Sequence, residues 1–514
     1  MTLVQSLELN GNPFEHYTAE TEPNIAQYAV RPPYLQAISD RAKALSSFIL
    51  FGDRGAGKSA TRLTVYKELW KAISTSAADQ KHPFVVNLTD YSYIQEPFKK
   101  DRLTEREIIE IVAFAVIEQM LVWLSSLEEA ERDALIDKLD DSEQTLCMAL
   151  LKGFYLSVPE MDRELSTSET LKILNSAWTT KSAVWTAGRW ESLSKILAAA
   201  VNALSKKQMG DDSVDISKPA EALLNSLVGS SPNAPKAILN KLVDFSQAFG
   251  FQGLSILVDK VDETPATSNS AEATARLIHP LLSHIQLLEI TNFSWIFFLW
   301  SNVQTHFNAK LAIRLDKIAH ANITWNRDSL REMLERRIEF FSSNRKRFSD
   351  LFMSDIDADD TFRELATISA HSPRELIKLM DIIFREHDAR GNDAPDRIDR
   401  VSLEIGQDKY AVETIESWYA KPVLQQVLRL GKTSFINKDV QNTFKIGDQG
   451  ARVKIKGWED TGLIRQNGTA PNENGGKPSY RYDVADARVE RIICRSLDDV
   501  VGVEIEDGSA PDLT

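Results

Sequence analysis

The chain has 514 residues, too many for one ordinary hydrophobic core, so several domains are expected. Hydrophobic residues make up 43% and charged residues 26%, as in soluble globular proteins; a formal charge of −14 excludes a surface coated throughout in nucleic acid but leaves room for a local basic module. Cys147 and Cys494 are the two cysteines; they support no disulfide framework and have no metal-ligand spacing, which fits a reducing, cytoplasmic compartment.

The N-terminal stretch MTLVQSLELNGNPFEHY has neither a basic region nor a long apolar core, so no signal peptide is expected. In AQYAVRPPYLQAI, Tyr28 and Tyr34 are candidates to pack on an adenine ring; the alternative is a packed N-terminal linker. The apolar run FILF then leads into Gly52-Asp53-Arg54-Gly55-Ala56-Gly57-Lys58-Ser59, which fits G-x-x-x-x-G-K-[ST] at every fixed position. Glycines let successive backbone N–H groups turn inward toward phosphate oxygens, and a helix beginning near Lys58 adds its positive end. Lys58 is expected to reach the β- and γ-phosphates of ATP and Ser59 to ligate Mg²⁺, with Ala60 following in the first turn.

HPFVVNLTDY (82–91) reads as the next strand. Asp101–Ala248 then reads as a helical insertion, broken by loops such as MGDDSVDISKP and GSSPNAP; it suits recognition or assembly, with a partner protein or a second copy of the chain. AVWTAGRW (183–190) within it reads as core packing. LSILVDKVDE (254–263) is a buried strand ending at Asp259, with Asp262 and Glu263 within one turn. Beside a phosphate loop, Asp259 is expected to hold Mg²⁺, and a nearby carboxylate to orient the attacking water. Lys260 stands where many such ATPases carry Glu, so that role falls to Asp262 or Glu263, with Glu263 favoured.

FSWIFFLW (293–300) is the most apolar run, too short to span a bilayer, and reads as a buried strand ending in Ser301-Asn302. Asn302 either senses the γ-phosphate or caps the next helix. Arg314, near the end of a short helix, is either a finger toward a neighbouring subunit's nucleotide or a surface ion-pair partner. NRDSLREMLERRIEFF is a strong helix, and Ser372-Pro373 starts another that places Arg374 in its first turn, where a lid arginine could touch phosphate.

From about residue 411 two short helices, a strand, the glycine-rich tip TAPNENGGKPS and a second strand read as a winged helix. Its residues 421–497 hold 14 Lys+Arg against 8 Asp+Glu, net +6 in an acidic chain. Arg452, Lys454 and Lys456 on the second helix and Arg465, Lys477 and Arg481 on the wing are candidate contacts to duplex DNA; the alternative is a clamp packed on the ATPase. The acidic end, 498–514, reads as a flexible tail.

GDRGAGKS, LSILVDKVDE, the strand ending in Ser301-Asn302 and HSPREL together resemble AAA+ and STAND-type P-loop ATPases. HSPREL looks like the lid-arginine motif called sensor 2, IRLDKI resembles the arginine-finger region of initiator-type AAA+ proteins, and the D-x-x-D-E spacing of Asp259, Asp262 and Glu263 is similar to NACHT-like STAND proteins. A group of bacterial P-loop ATPases with an NPF start, a YAVRPPYL-like box and a helical insertion also looks similar. The resemblance covers roughly Asn12–Tyr91 and Phe251–His387. It implies an ATP-dependent switch or machine, and many relatives act in anti-phage defence or mobile-element biology. The expected fold is α/β: a P-loop NTPase core with a parallel sheet (47–100 and 251–325), an all-helical insertion (101–250), a helical lid (326–410) and a C-terminal winged helix (411–497), behind a linker (1–46) and before the tail (498–514).

Overall fold

The computed structural model describes residues 2–18, 22, 25–30, 34–74, 82–174, 217–228, 231–268, 270–309, 311, 313–416, 418–471 and 478–497. AVWTAGRW, Lys477 and the acidic tail lie outside the described residues. The chain forms two units. One comprises Thr18–Ala26 and Arg31–Thr324; the other comprises Met1–Tyr17, Gln27–Val30 and Trp325–Thr514.

The first unit is built on a parallel sheet. Its strands are β1 (Phe48–Gly52), β2 (Phe84–Leu88), β3 (Leu254–Val258), β4 (Phe293–Trp300) and β5 (His320–Asn322), in the order β2-β3-β4-β1-β5. Every residue of β1, β2 and β3 is buried, as the unbroken apolar runs predict for parallel strands covered on both faces. Register brings Gly52 opposite Trp300 and Leu88 opposite Val258, so the chain leaves β1, β2, β3 and β4 at one edge. β5 was not legible in the sequence, because three residues carry no usable period.

Among the described residues every element between β2 and β3 is a helix, and the segment belongs to the same unit as the sheet. The helix Glu105–Ser126 packs on β2 and the phosphate-loop helix: Trp123 Nε1 donates to the Ile73 carbonyl at 3.2 Å, and Gln119 exchanges hydrogen bonds with the Asn87 backbone at 2.9 and 2.8 Å. Among the described residues it is the one helix long and apolar enough to cross a membrane, yet 83% of its apolar window is buried inside the protein. Glu107, Glu110 and Glu118 interrupt the run, which is why β4 looked the more apolar segment.

The second unit holds the lid helices Arg327–Phe341, Ala358–Ile368, Pro373–Ala389 and Arg400–Ile415. The N-terminal segment, expected as a linker, instead contributes core: Leu3, Leu7, Leu9 and Phe14 are buried among these helices, with Phe14 edge-on to Phe384 at 5.2 Å. Asn12 Nδ2 donates to Asp381 at 2.9 Å, Tyr17 donates to the same carboxylate, and Arg337 Nη1 donates to the Pro13 carbonyl at 2.8 Å. Burial, then the hydrogen bond to Asp381, pushes the Tyr17 phenol up to about 12.

The winged-helix topology follows. The helix Lys421–Leu430, strand β6 (Ser434–Ile436), helices Asn437–Phe444 and Asp448–Asp460, and strands β7 (Ile464–Ala470) and β8 (Ser479–Val484) precede a last helix, Ala487–Arg495. The sheet is antiparallel in the order β6-β8-β7. Trp458, fully buried, closes the core edge-on to Phe435 and donates Nε1 to Gln426 at 2.9 Å.

Candidate nucleotide-binding site

The helix Lys58–Ser74 begins at the loop's lysine, directly after β1 and the loop. Gly55 (φ 77°) and Gly57 (φ 88°) take left-handed backbone that a side chain would strain. At Gly52 a Cβ would lie 3.3 Å from Lys58 Cγ and 3.4 Å from Ala56 Cβ, so a side chain there would press on the lysine that serves the loop. Thr61 ties the first helical turn back to the loop, its hydroxyl donating to the Gly57 carbonyl at 2.9 Å. Asp53 is exposed, whereas Arg54, Ser59 and Ala60 are half-buried and Ala56 is buried.

Lys58 is buried and its ammonium donates to the carbonyls of Gly52 and Asp53, at 2.8 and 3.1 Å. The Gly52 carbonyl also accepts the Ser301 N–H at 3.2 Å, which binds the end of β4 to the start of the loop. Asn302, the next residue, is exposed. The loop can therefore present N–H groups, a helix N-terminus and an ammonium to a phosphate chain.

The acidic cluster sits at the end of β3. Asp259 is 2% exposed; its N–H continues the ladder to the Leu88 carbonyl at 3.1 Å, and its carbonyl accepts the buried Tyr91 hydroxyl at 2.8 Å. Burial, then the charge of Asp259, holds the Tyr91 phenol well above its usual value. Lys260 turns the chain with φ 62°, and a 3-10 turn, Val261–Glu263, follows. Asp262 is buried, and Arg54 of the phosphate loop approaches its carboxylate at 3.7 Å while stacking over Trp300 at 4.3 Å. Glu263 is exposed.

One residue at the centre is not among the sequence candidates. Arg62, one turn after Lys58 and 1% exposed, donates Nε to Asp259 Oδ2 at 2.9 Å and hydrogen-bonds Asn87 Oδ1 through Nη1. The available signal was an arginine one turn after the loop's lysine, in the helix that must pack on the sheet, where an unpaired charge is not tolerated.

The remaining sequence candidates lie elsewhere. Arg314 is not near a helix end; it precedes a 3-10 turn, Leu315–Lys317, after the helix Val303–Ala309 has stopped. It is exposed and forks onto Asp316 at 2.9 and 2.8 Å, and that carboxylate holds its guanidinium pKa above the usual value. Tyr28 and Arg374 belong to the second unit. Tyr28 is buried against Phe340 at 4.7 Å, with Arg337 over its ring at 5.5 Å, so protein groups take its faces and the packed-linker alternative describes it. Tyr34 is 44% exposed. Arg374 follows the expected start, with Ser372 capping the Glu375 N–H and Pro373 in the first turn.

No protein-family model and no curated protein matches the chain. Similar solved structures include the Aeropyrum pernix ORC1 protein in complex with DNA, at 12% identity and TM-score 0.35, covering 96% of this chain and 97% of that one. The Aeropyrum pernix ORC2 protein in ADPNP–ADP complexes gives 10% identity and TM-score 0.40 over 93% and 99%. CDC6P from Pyrobaculum aerophilum gives 11% identity and TM-score 0.32 over 94% and 98%.

Proposed function

We propose that this chain is an AAA+/STAND-like P-loop ATPase of the cytoplasm, a nucleotide-dependent switch or assembly machine that binds and hydrolyses ATP with Mg²⁺. The observation that carries the reading is the loop from Gly52 to Ser59: two glycines in left-handed backbone, joined to a buried strand before and a helix after, with the Lys58 ammonium folded over it. These residues fit a triphosphate. Lys58 serves the β- and γ-phosphates; Ser59 and Asp259 are the ligands offered to Mg²⁺, which when bound neutralises developing phosphate charge. Of the two carboxylates that could orient water, the buried Asp262 beside the loop's Arg54 is better supported than the exposed Glu263. Asn302, at the same sheet edge, is the polar group for the γ-phosphate, and Arg374 remains the lid candidate. Arg314 as a finger has less support, since its fork is already on Asp316. Defence against phage or mobile-element DNA transactions are settings that suit such a switch.

The test is nucleotide binding and steady-state hydrolysis by the parent chain, Lys58→Ala, Asp262→Asn and Glu263→Gln. Lys58→Ala should lose about 100-fold or more in ATP affinity, and Asp262→Asn should bind ATP but lose most turnover. ATP binding unchanged in Lys58→Ala would sink the proposal.

A second reading, a DNA-binding regulator that uses ATP as a structural switch with little turnover, is favoured by one feature. The acid expected to hold the metal is engaged by Arg62 and followed by Lys260 rather than by a carboxylate. ATP binding without turnover, together with salt-dependent binding of duplex DNA, would select it.

A further inference from the structure

The sheet unit contains another concavity, a cleft of ≈ 780 Å³ between the end of β2, the helix Glu105–Ser126, the π-helical turn Leu151–Tyr155 and the helix Glu160–Leu174. Small-molecule sites span roughly 300–1,000 Å³. Six carboxylates line it, from Asp90, Glu107, Glu110, Glu118, Asp162 and Glu169, and among the described residues its lining has no Lys, Arg or His. A single turn of π-helix inside a helical segment often marks a functional site, and Gly153 and Phe154 of this one face the cleft.

Local structure accounts for four of the acids. Asp90 accepts the Ser92 N–H, Glu107 closes the helix cap at Thr104, Glu110 pairs with Arg106 at 3.0 Å and Asp162 accepts the Tyr93 hydroxyl at 2.6 Å. Glu118 is different. It is 1% exposed, its Oε2 accepts the Thr170 hydroxyl at 3.2 Å, and its Oε1, with the Thr167 hydroxyl beside the carboxyl, meets no donor at full hydrogen-bond geometry. The phenols of Tyr66 and Tyr155 and the hydroxyls of Thr167 and Thr170 face it, none of them a cation. Burial pushes its carboxyl up to about 8. A buried acid with an unused oxygen on a cleft wall is a group that lacks its partner.

The chemistry of that partner follows from spacing. Among the described residues no three acidic, His or Cys side chains converge as a metal site, so a single ion does not match the charge. Between the carboxylates lie apolar surfaces from Ile111, Phe114, Phe154 and Leu165. We propose that the cleft binds a linear aliphatic polyamine, its ammonium groups against Glu118 and the acids along the wall and its methylene chain against Ile111, Phe114 and Phe154. The site adjoins the nucleotide loop's acid through one side chain. Asn87 lines the cleft and accepts the Arg62 hydrogen bond, and Arg62 holds Asp259. The inference does not rest on the ATPase reading.

The test is calorimetric titration of the full chain with spermidine at about pH 8.5, where Glu118 is mostly ionised and the terminal amines remain protonated. Saturable binding to one site per chain is expected, weakened about tenfold or more in Glu118→Gln and several-fold in Glu110→Gln and Glu169→Gln. Glu110 is half-exposed and pairs only within its own helix, so its variant keeps the test decisive if Glu118→Gln does not fold. Mg²⁺ at matched ionic strength should not displace spermidine. Absence of saturable binding, equal affinity across the variants, or displacement by Mg²⁺ alone would overturn the proposal, the last by reducing it to general attraction toward an acidic chain.

Discussion

Arg62 and Asp259 are buried at 1% and 2% exposure, and removing either one strands the other's charge. Breaking such a pair from one side costs about 3–5 kcal/mol, whereas replacing both partners with neutral groups costs far less. Arg62→Ala should therefore lower unfolding stability by that order in urea titrations, and the double variant Arg62→Met with Asp259→Asn should lose much less than the two single losses added together. Additive losses would mean that the two charges do not depend on each other. Glu118 supplies a pH signature. Its folded carboxyl titrates at about 8 because burial disfavours the charge. In the unfolded chain the same group ionises near about 4.3, so between the two values only the folded state keeps the proton. Its contribution to stability is full below about pH 4.3 and is lost as pH rises through about 8. Glu118→Gln should gain on the parent across that window, by on the order of a few kcal/mol at its upper end. Denaturation at a series of pH values reads this directly; parallel curves would mean that the carboxyl is not held neutral.

Two glycines fix how elements approach. Gly253, just before β3, lies so close to the residue before β4 that a Cβ would be 1.9 Å from the Asn292 carbonyl oxygen, the acceptor of the Leu254 N–H at 3.0 Å. The obstacle is backbone, with no rotamer to escape into, so Gly253→Ala must part β3 from β4 at their first rung. A loss of about 2–4 kcal/mol is expected. In the lid, a Cβ on Gly406 would lie 2.6 Å from Ile383 Cγ1 and 2.8 Å from its Cα, so the helices Pro373–Ala389 and Arg400–Ile415 touch through that glycine. Gly406→Ala should lower the melting temperature by several degrees through the lid, with ATP affinity at the loop nearly unchanged. A variant that melts with the parent would show that the helices can part there without cost.

At the scale of the whole chain, what the sequence disclosed followed contiguity. The phosphate loop was legible because four fixed identities fall within eight consecutive residues that curl around phosphate, and the winged helix because its turns and strand alternation are local. Phe14 against Phe384 and Arg62 against Asp259 were not legible, since each joins residues far apart in the chain and no local pattern says which residue meets which. Glu118 was hidden for the opposite reason: one acid in a long helix looks like a solvated face until burial is known. The basic count of the winged helix shows the same limit, because much of it is spent internally. Arg452 pairs with Asp448, Lys456 with Asp460 and Arg488 with Asp486, while Arg491 and Arg495 share Asp408 of the lid helix Arg400–Ile415 at 2.6 and 2.8 Å. Arg491 also donates to the Glu404 carbonyl at 3.2 Å, so the last helix is laced to the lid, a clamp-like arrangement. The carboxylate is 18% exposed, which places the pairs between surface and buried behaviour, and Asp408→Asn should cost about 1–2 kcal/mol. The loss should be local. Amide exchange in Ala487–Arg495 should speed several-fold while β1 and β3 keep their protection. Arg491 keeps Glu364 at 3.3 Å and Arg495 keeps Glu404 at 3.5 Å, so only part of their charge is released and low-salt affinity for duplex DNA should rise modestly. Faster exchange with no gain in DNA affinity would favour a winged helix that serves as a clamp; unchanged exchange would show that the shared carboxylate does not hold the helix at all.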